Sequence, residues 1–210
     1  MTETIRGGIA TITGRGVACL NAVNSVPQVQ DMKVSKDSAM GDAAKFNGKM
    51  QGYYFAFDDD LFYPDNYVET MLSKLKEYDN KIIITCQGRV VDYQPIQSYY
   101  KSGWTKYSCL SELTEDKWVH IPGSGVCAFH TDYFKPDLSE FKNGFMADIW
   151  LAIQAQKKQI PILCIAHPAG WILQQDVGEG IYEKYKDNDS EQVKAVNSIK
   201  WILYESTKKD

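Results

Sequence analysis

Three consecutive carboxylates, Asp58, Asp59 and Asp60, stand directly behind the aromatic and small apolar run at 53–57. Like charges this close repel, and moving any of them into low dielectric without a partner costs several kcal/mol or raises its pKa. Where the chain leaves a strand, Asp58 and Asp60 can face one side and Asp59 the other. That would offer two oxygen ligands to a hard divalent cation such as Mg2+ or Mn2+, with coordination sites left over for phosphate oxygens. A solvated acidic turn with Asp65 as a helix cap is the plainer reading of the same residues. His167, just past the apolar run at 160–165, lies at a similar strand end and is a second candidate metal ligand, although a lone histidine is more often structural. Asp148, among Ala147, Ile149 and Trp150, fits two roles: a carboxylate that stabilises a helix N-terminus, or a general base in a partly apolar pocket.

These residues need elements to hold them. "IRGGIATI" (5–12) reads as a strand ending at "TGRG", and Val17, Leu20 and Val23 are spaced for one helical face. Residues 27–50 are polar and mixed, with at most a short strand at 32–34. "GYYFAF" (52–57) reads as a central strand, and Pro64 opens a helix whose stripe is Val68, Met71, Leu72 and Leu75. "KIIITC" (81–86) is the next strand. Residues 87–118 are aromatic with little periodicity and read as a long loop region. A strand at 125–130, a helix at 147–159 and a strand at 160–165 follow. Asp189 with Gln192 suggests a capped helix carrying Val193, Val196, Ile199 and Leu203. This alternation predicts an α/β chain with a mostly parallel central sheet and helices on both faces, in which ligands bind beyond the carboxyl ends of the strands.

At 210 residues the chain fits one domain, and its 44% hydrophobic and 24% charged residues are those of a folded protein. A formal charge of −4 provides no global basic field, which disfavours binding duplexes by phosphate neutralisation. The five cysteines form no CxxC pair and read as reduced and structural. No apolar run approaches the ~18 residues of a membrane span, and the N-terminus lacks a signal-peptide pattern, so a cytoplasmic location is expected.

Taken together, the motifs resemble the GT-A glycosyltransferases, in particular compact members of the bacterial or phage-type, family 2-like group in which the DXD motif takes the form DDD. "GIATITGR" (8–15) is similar to the family's first nucleotide-binding strand and turn, and "GDAAKF" (41–46) to the segment before the metal strand. "GYYFAFDDDLFYPDNYV" (52–68) is similar to the core motif itself. "IPGSGVCAFHT" (121–131), "GFMADIWLAIQAQKKQIPI" (144–162) and "HPAGWI" (167–172) follow in family order. The likeness thins at 27–44, where the family usually has a longer stretch.

The resemblance implies a Rossmann-like GT-A domain with a nucleotide-sugar-binding half (1–88), an acceptor-binding and catalytic half (89–175) and a helical tail (176–210). It implies an inverting transferase that uses Mn2+ or Mg2+ and a nucleotide-sugar donor, usually a UDP-sugar. Asp58, Asp60 and His167 would then contact the metal, and Asp148 would be the base. Thr11, Thr13, Arg15, Asp42, Lys45, Asp58 and Asp59 would line the donor site. Arg89, Trp104, Gly123, Ser124, Gly125 and Trp171 would face a saccharide or other hydroxyl acceptor. Tyr93, Tyr99, Tyr100 and Tyr107 add aromatic faces on that side. The sequence leaves open a hydroxymethyl-pyrimidine DNA base as acceptor, a non-catalytic glycan- or nucleotide-binding module and, more weakly, a nucleotidyltransferase.

Overall fold

The computed structural model describes residues 3–178, 180 and 185–208. Seven strands form the central sheet: β1 (Arg6–Thr11), β2 (Asp31–Lys36), β3 (Tyr53–Asp58), β5 (Ile83–Thr85), β8 (Lys117–Trp118), β10 (Val126–His130) and β11 (Ile162–Cys164). Their order is β2-β1-β3-β10-β5-β11-β8. Five strands run one way, and β10 and β8 run against their neighbours. The chain is thus a mixed α/β protein with a mostly parallel sheet. Because β10 lies between β3 and β5, the two halves read from the sequence share one sheet.

The period-two geometry of β3 assigns its side chains. Tyr53, Phe55 and Phe57 enter one buried cluster, while Tyr54 and Ala56 enter the cluster on the opposite face. Each fully buried phenylalanine contributes about 2–3 kcal/mol through removal from water. The first cluster is covered by α1 (Gly16–Asn24) and α2 (Tyr67–Glu77), the second by the 3-10 turn Gly41–Phe46 and by α3 (Ala147–Lys157). On α2, Val68, Met71 and Leu75 are buried and Leu72 is half-buried, close to the expected stripe.

Several expectations are corrected. Val17 and Leu20 of α1 are exposed, and Cys19 and Ala22 face the core instead. Small side chains let this helix lie close to the sheet, so size prevailed over apolar periodicity. The 87–118 segment holds β6 (Gly88–Val91) and β7 (Trp104–Tyr107) as well as β8. With β9 (Ile121–Pro122) they form a separate antiparallel sheet of order β7-β6-β9. Its strands are two to four residues long, too short for alternation to register in the sequence. The strand in the 27–50 region spans β2 in full, longer than 32–34.

The C-terminal helix α4 spans Ser190–Asn197, so Ile199 and Leu203 lie beyond it, and Asp189 makes no side-chain cap. With Trp201, α4 packs on the outer face of α3, which is why α3 is buried on nearly all sides. A short ribbon pairs β4 (Leu61–Phe62) with β12 (Leu173–Gln174). All five cysteines are buried free thiols, and among the described residues no helix is long and apolar enough to cross a membrane.

Candidate functional site

The acidic triplet leaves the carboxyl end of β3, and its three side chains meet three different surroundings. Asp59 is buried and accepts from the Thr11 hydroxyl at 2.6 Å and from Arg15 Nη1 at 3.2 Å. Asp58 pairs with the ammonium of Lys45, which is itself buried. Among the described residues no side chain bonds to the Asp60 carboxylate. Burial, then the charges of Asp58 and Asp59, push Asp60 up to about 6. The protein therefore supplies its own cations to two of the three carboxylates and leaves the third unpaired.

Two glycines make this arrangement possible. A Cβ at Gly8 would overlap the Lys45 carbonyl and crowd the Tyr54 hydroxyl, so the bare backbone of β1 is what lets the 3-10 turn settle on the sheet. The Tyr54 hydroxyl then donates to Lys45 O at 2.7 Å and pins the turn. A Cβ at Gly125 would overlap the Asp58 carboxylate, so that side chain lies across the start of β10. Tyr63, unremarked in the sequence, joins the two: its hydroxyl accepts from Asp58 N at 2.8 Å and donates to Gly125 O at 2.7 Å.

Lys45 draws in the second set of residues. Its ammonium lies 3.3 Å from the Ser124 hydroxyl, and the charges of Asp58, Asp42 and Asp148 all favour its protonated form. Asp148, in the first turn of α3, accepts from Ser124 N at 2.7 Å through Oδ1. Asp42 accepts from Ala147 N at 3.2 Å through Oδ2, while its enclosed Oδ1 has no partner among the described residues. Burial pushes Asp42 up to about 6, opposed by Lys45 and reinforced by Asp148 and Asp58. Residues distant in sequence thus share one electrostatic network, with more carboxylates than cations.

Other expected site residues lie apart from it. Thr13 donates both its backbone N–H and its hydroxyl to Asp37, at 2.8 and 2.6 Å, and so closes the turn after β1. His167 is buried with Nδ1 2.8 Å from Ile165 O and Nε2 3.3 Å from Ser108 O. Each ring nitrogen thus faces a carbonyl oxygen, of which a neutral imidazole can donate to only one, and a metal would have to take the place of the other. Trp171 lies against His167 with ring centroids 6.1 Å apart and donates to Asn66 Oδ1 at 3.0 Å. Gly123 packs on Gln87, donating to its carbonyl at 2.7 Å.

On the small sheet, Arg89 lies over the Tyr99 ring at 4.3 Å and within 5.7 Å of the Trp104 ring, and Nη1 donates to Tyr99 O at 2.8 Å. Asp189 builds this cluster. Its carboxylate accepts from Ser98 Oγ at 2.6 Å and from the N–H groups of Tyr99 and Tyr100 at 2.7 and 3.2 Å. Asn197 bonds both the N–H and the carbonyl of Ile96, at 2.9 and 3.0 Å. The tail, which shows no motif, is a clamp on the aromatic loop; a polar pair near its helix was the only available signal. On the Asp59 side, Arg15, Phe62 and Gln175 line a cleft of 490 Å³. Gln175 N donates to Asp60 O at 2.7 Å and so holds the triplet's far end.

Among the described residues no three His, Cys, Asp or Glu side chains converge to hold a metal unaided. The unpaired Asp60 beside Asp58 does fit a cation completed by ligand or water oxygens. No family model and no curated protein matches this chain.

Proposed function

We propose that the chain is a metal-dependent, inverting glycosyltransferase of GT-A fold that moves a sugar from a nucleotide-sugar donor, a UDP-sugar, to a hydroxyl acceptor such as a saccharide in the cytoplasm. The observation that carries this reading is Asp60: an unpartnered carboxylate pushed up to about 6, at the carboxyl end of the central strand, beside the paired Asp58 and Asp59. A carboxylate in that setting gains most from a cation. Asp60 and Asp58 would hold Mn2+ or Mg2+, which when bound offsets the charge of a departing nucleoside diphosphate.

The neighbouring residues suit the rest of the reaction. Arg15 borders the 490 Å³ cleft on the donor side, a volume within the range of small-molecule sites. Asp148 spends Oδ1 on Ser124 N, and Oδ2 accepts no bond from another described residue. That oxygen can take the proton of an attacking acceptor hydroxyl, while Lys45 stabilises the charge balance of the site. A pure binding module would have no use for such a base.

The test is release of nucleoside diphosphate from a panel of nucleotide sugars, with Mn2+ and with a chelator. Asp148→Ala should lower transfer about 10²–10⁴-fold and leave donor binding intact, as expected for loss of a general base. Asp60→Ala should weaken both transfer and metal-dependent donor binding. Transfer at the native rate by Asp148→Ala would remove the base assignment, and turnover unaffected by chelator would remove the metal.

A further inference from the structure

The small sheet carries two cations facing a common problem. Arg89 of β6 stands directly across from Lys106 of β7 in the antiparallel register, and across from Ile121 of β9 on its other side. Ile121 lies three residues before Ser124, whose N–H holds Asp148. The pair therefore sits on the sheet whose third strand leads into the turn that holds Asp148.

Neither cation has a carboxylate within ion-pair distance among the described residues. Arg89 gives one N–H to Tyr99 O, and Lys106 Nζ lies 2.6 Å from Tyr100 O. Partial burial and the Arg89 charge together depress Lys106, with no acid offsetting them. A third donor belongs to the same cluster: Trp104 Nε1 is enclosed and lacks an acceptor among the described residues. The acid of this cluster, Asp189, has its carboxylate engaged by Ser98 Oγ and the N–H groups of Tyr99 and Tyr100, so Arg89 and Lys106 stand side by side with no carboxylate in ion-pair contact among the described residues. Like charges held side by side are unfavourable unless something negative occupies the space between them.

We infer that Arg89 and Lys106, with Trp104, form a binding site for an oxyanion carried by the acceptor, a phosphate or carboxylate group on a saccharide. This deepens the glycosyltransferase reading and rests on it for the word acceptor. The guanidinium keeps free N–H groups in a fork that matches either oxyanion, and Lys106 adds a point charge. Tyr93, half exposed on the same loop, offers a face for a sugar ring. The site is a single pair of cations rather than a basic track, which favours a saccharide over a nucleic acid. Asp189 acts as a positioning residue, since it fixes the backbone of the loop whose tyrosines carry Arg89.

The experiment follows the Trp104 indole N–H resonance while inorganic phosphate, glucose 6-phosphate, glucuronate, glucose and a single-stranded oligonucleotide are each titrated into the full-length protein without donor or metal. Saturable shifts are expected with phosphate, glucose 6-phosphate or glucuronate, and none with glucose; the sugar arms separate the phosphate from the carboxylate source. Lys106→Gln, on an exposed strand position, and Arg89→Lys should each weaken the effect at least tenfold. No shift with any anion overturns the proposal, as does an undiminished shift in the doubly substituted protein or a response to the oligonucleotide alone. Binding is read without turnover, so failure here leaves the transferase reading standing, and failure of the donor assay leaves the oxyanion site standing.

Discussion

Lys45 is the residue on which the site's charge balance turns. It is a buried ammonium beside Asp58, with Asp42 and Asp148 near enough to favour its charge. Removing one partner of a buried pair strands the other, which costs several kcal/mol in enclosed settings. Asp58 is partly solvated, so Lys45→Met is expected to destabilise the fold by about 2 kcal/mol, read as a lower midpoint in urea. His120 gives the pH dependence. Its Nδ1 accepts from Val91 N at 2.8 Å, and burial pushes it down to about 4. The unfolded chain, with a histidine near ~6.5, takes up a proton between pH 6.5 and 4 that the folded chain refuses, so this contribution is lost as pH falls through that window. Asp42 and Asp60, raised to about 6, act in the opposite sense: the folded chain holds their protons better, and their effect weakens the fold as pH rises through 4 to 6. The difference between native protein and His120→Gln isolates the first contribution. Between pH 4 and 6.5 the stability of the native protein, minus that of His120→Gln, should rise with pH by up to one proton's worth, and an identical slope in the two proteins would contradict the assignment.

At the scale of elements, the decisive contact is between β1 and the 3-10 turn Gly41–Phe46. The Lys45 carbonyl reaches the sheet only because Gly8 has no side chain. Gly8→Ala should force the turn outward and cost about 1–3 kcal/mol, in the range of overpacked cores. Since the turn carries Lys45, nucleoside diphosphate release should fall further than the stability loss alone explains; full activity in a destabilised variant would show that the turn does not position the site. The antiparallel strand β10 works similarly: Gly125 at its start accommodates the Asp58 carboxylate, and Tyr63 ties the two backbones.

Over the whole molecule, the C-terminal segment governs the aromatic loop without touching the triplet. Asp189 and Asn197 between them bond five groups of the 96–100 stretch, and Gln94 donates to Val196 O and Ile199 O. Asp189→Ala leaves those loop N–H groups without their acceptor, a loss of about 1–3 kcal/mol confined to the loop. Hydrogen exchange should quicken at Tyr99 and Tyr100 and remain slow in β3 and β10. Uniform quickening would mean that the tail supports the entire fold and not the loop alone.

Local pattern was enough for much of this molecule. Continuous apolar runs marked β3 and β10, a helical stripe marked α2 and an apolar block marked α3, because a strand covered on both faces and a helix enclosed by neighbours are apolar throughout while a surface helix is apolar on one side. The aspartates were conspicuous for the same reason: charge directly behind an apolar strand must end at the edge of the core. The face of α1, the small β7-β6-β9 sheet and the tail's grip on the aromatic loop were decided only by tertiary packing. Each depends on tertiary partners and on side-chain size or single hydrogen bonds, which leave no periodic trace in the chain. The same holds within the triplet. Which aspartate meets Arg15, which meets Lys45 and which is left unpaired among the described residues depends on elements converging in space; alternation at a strand end separates Asp59 from its neighbours without saying what each carboxylate meets.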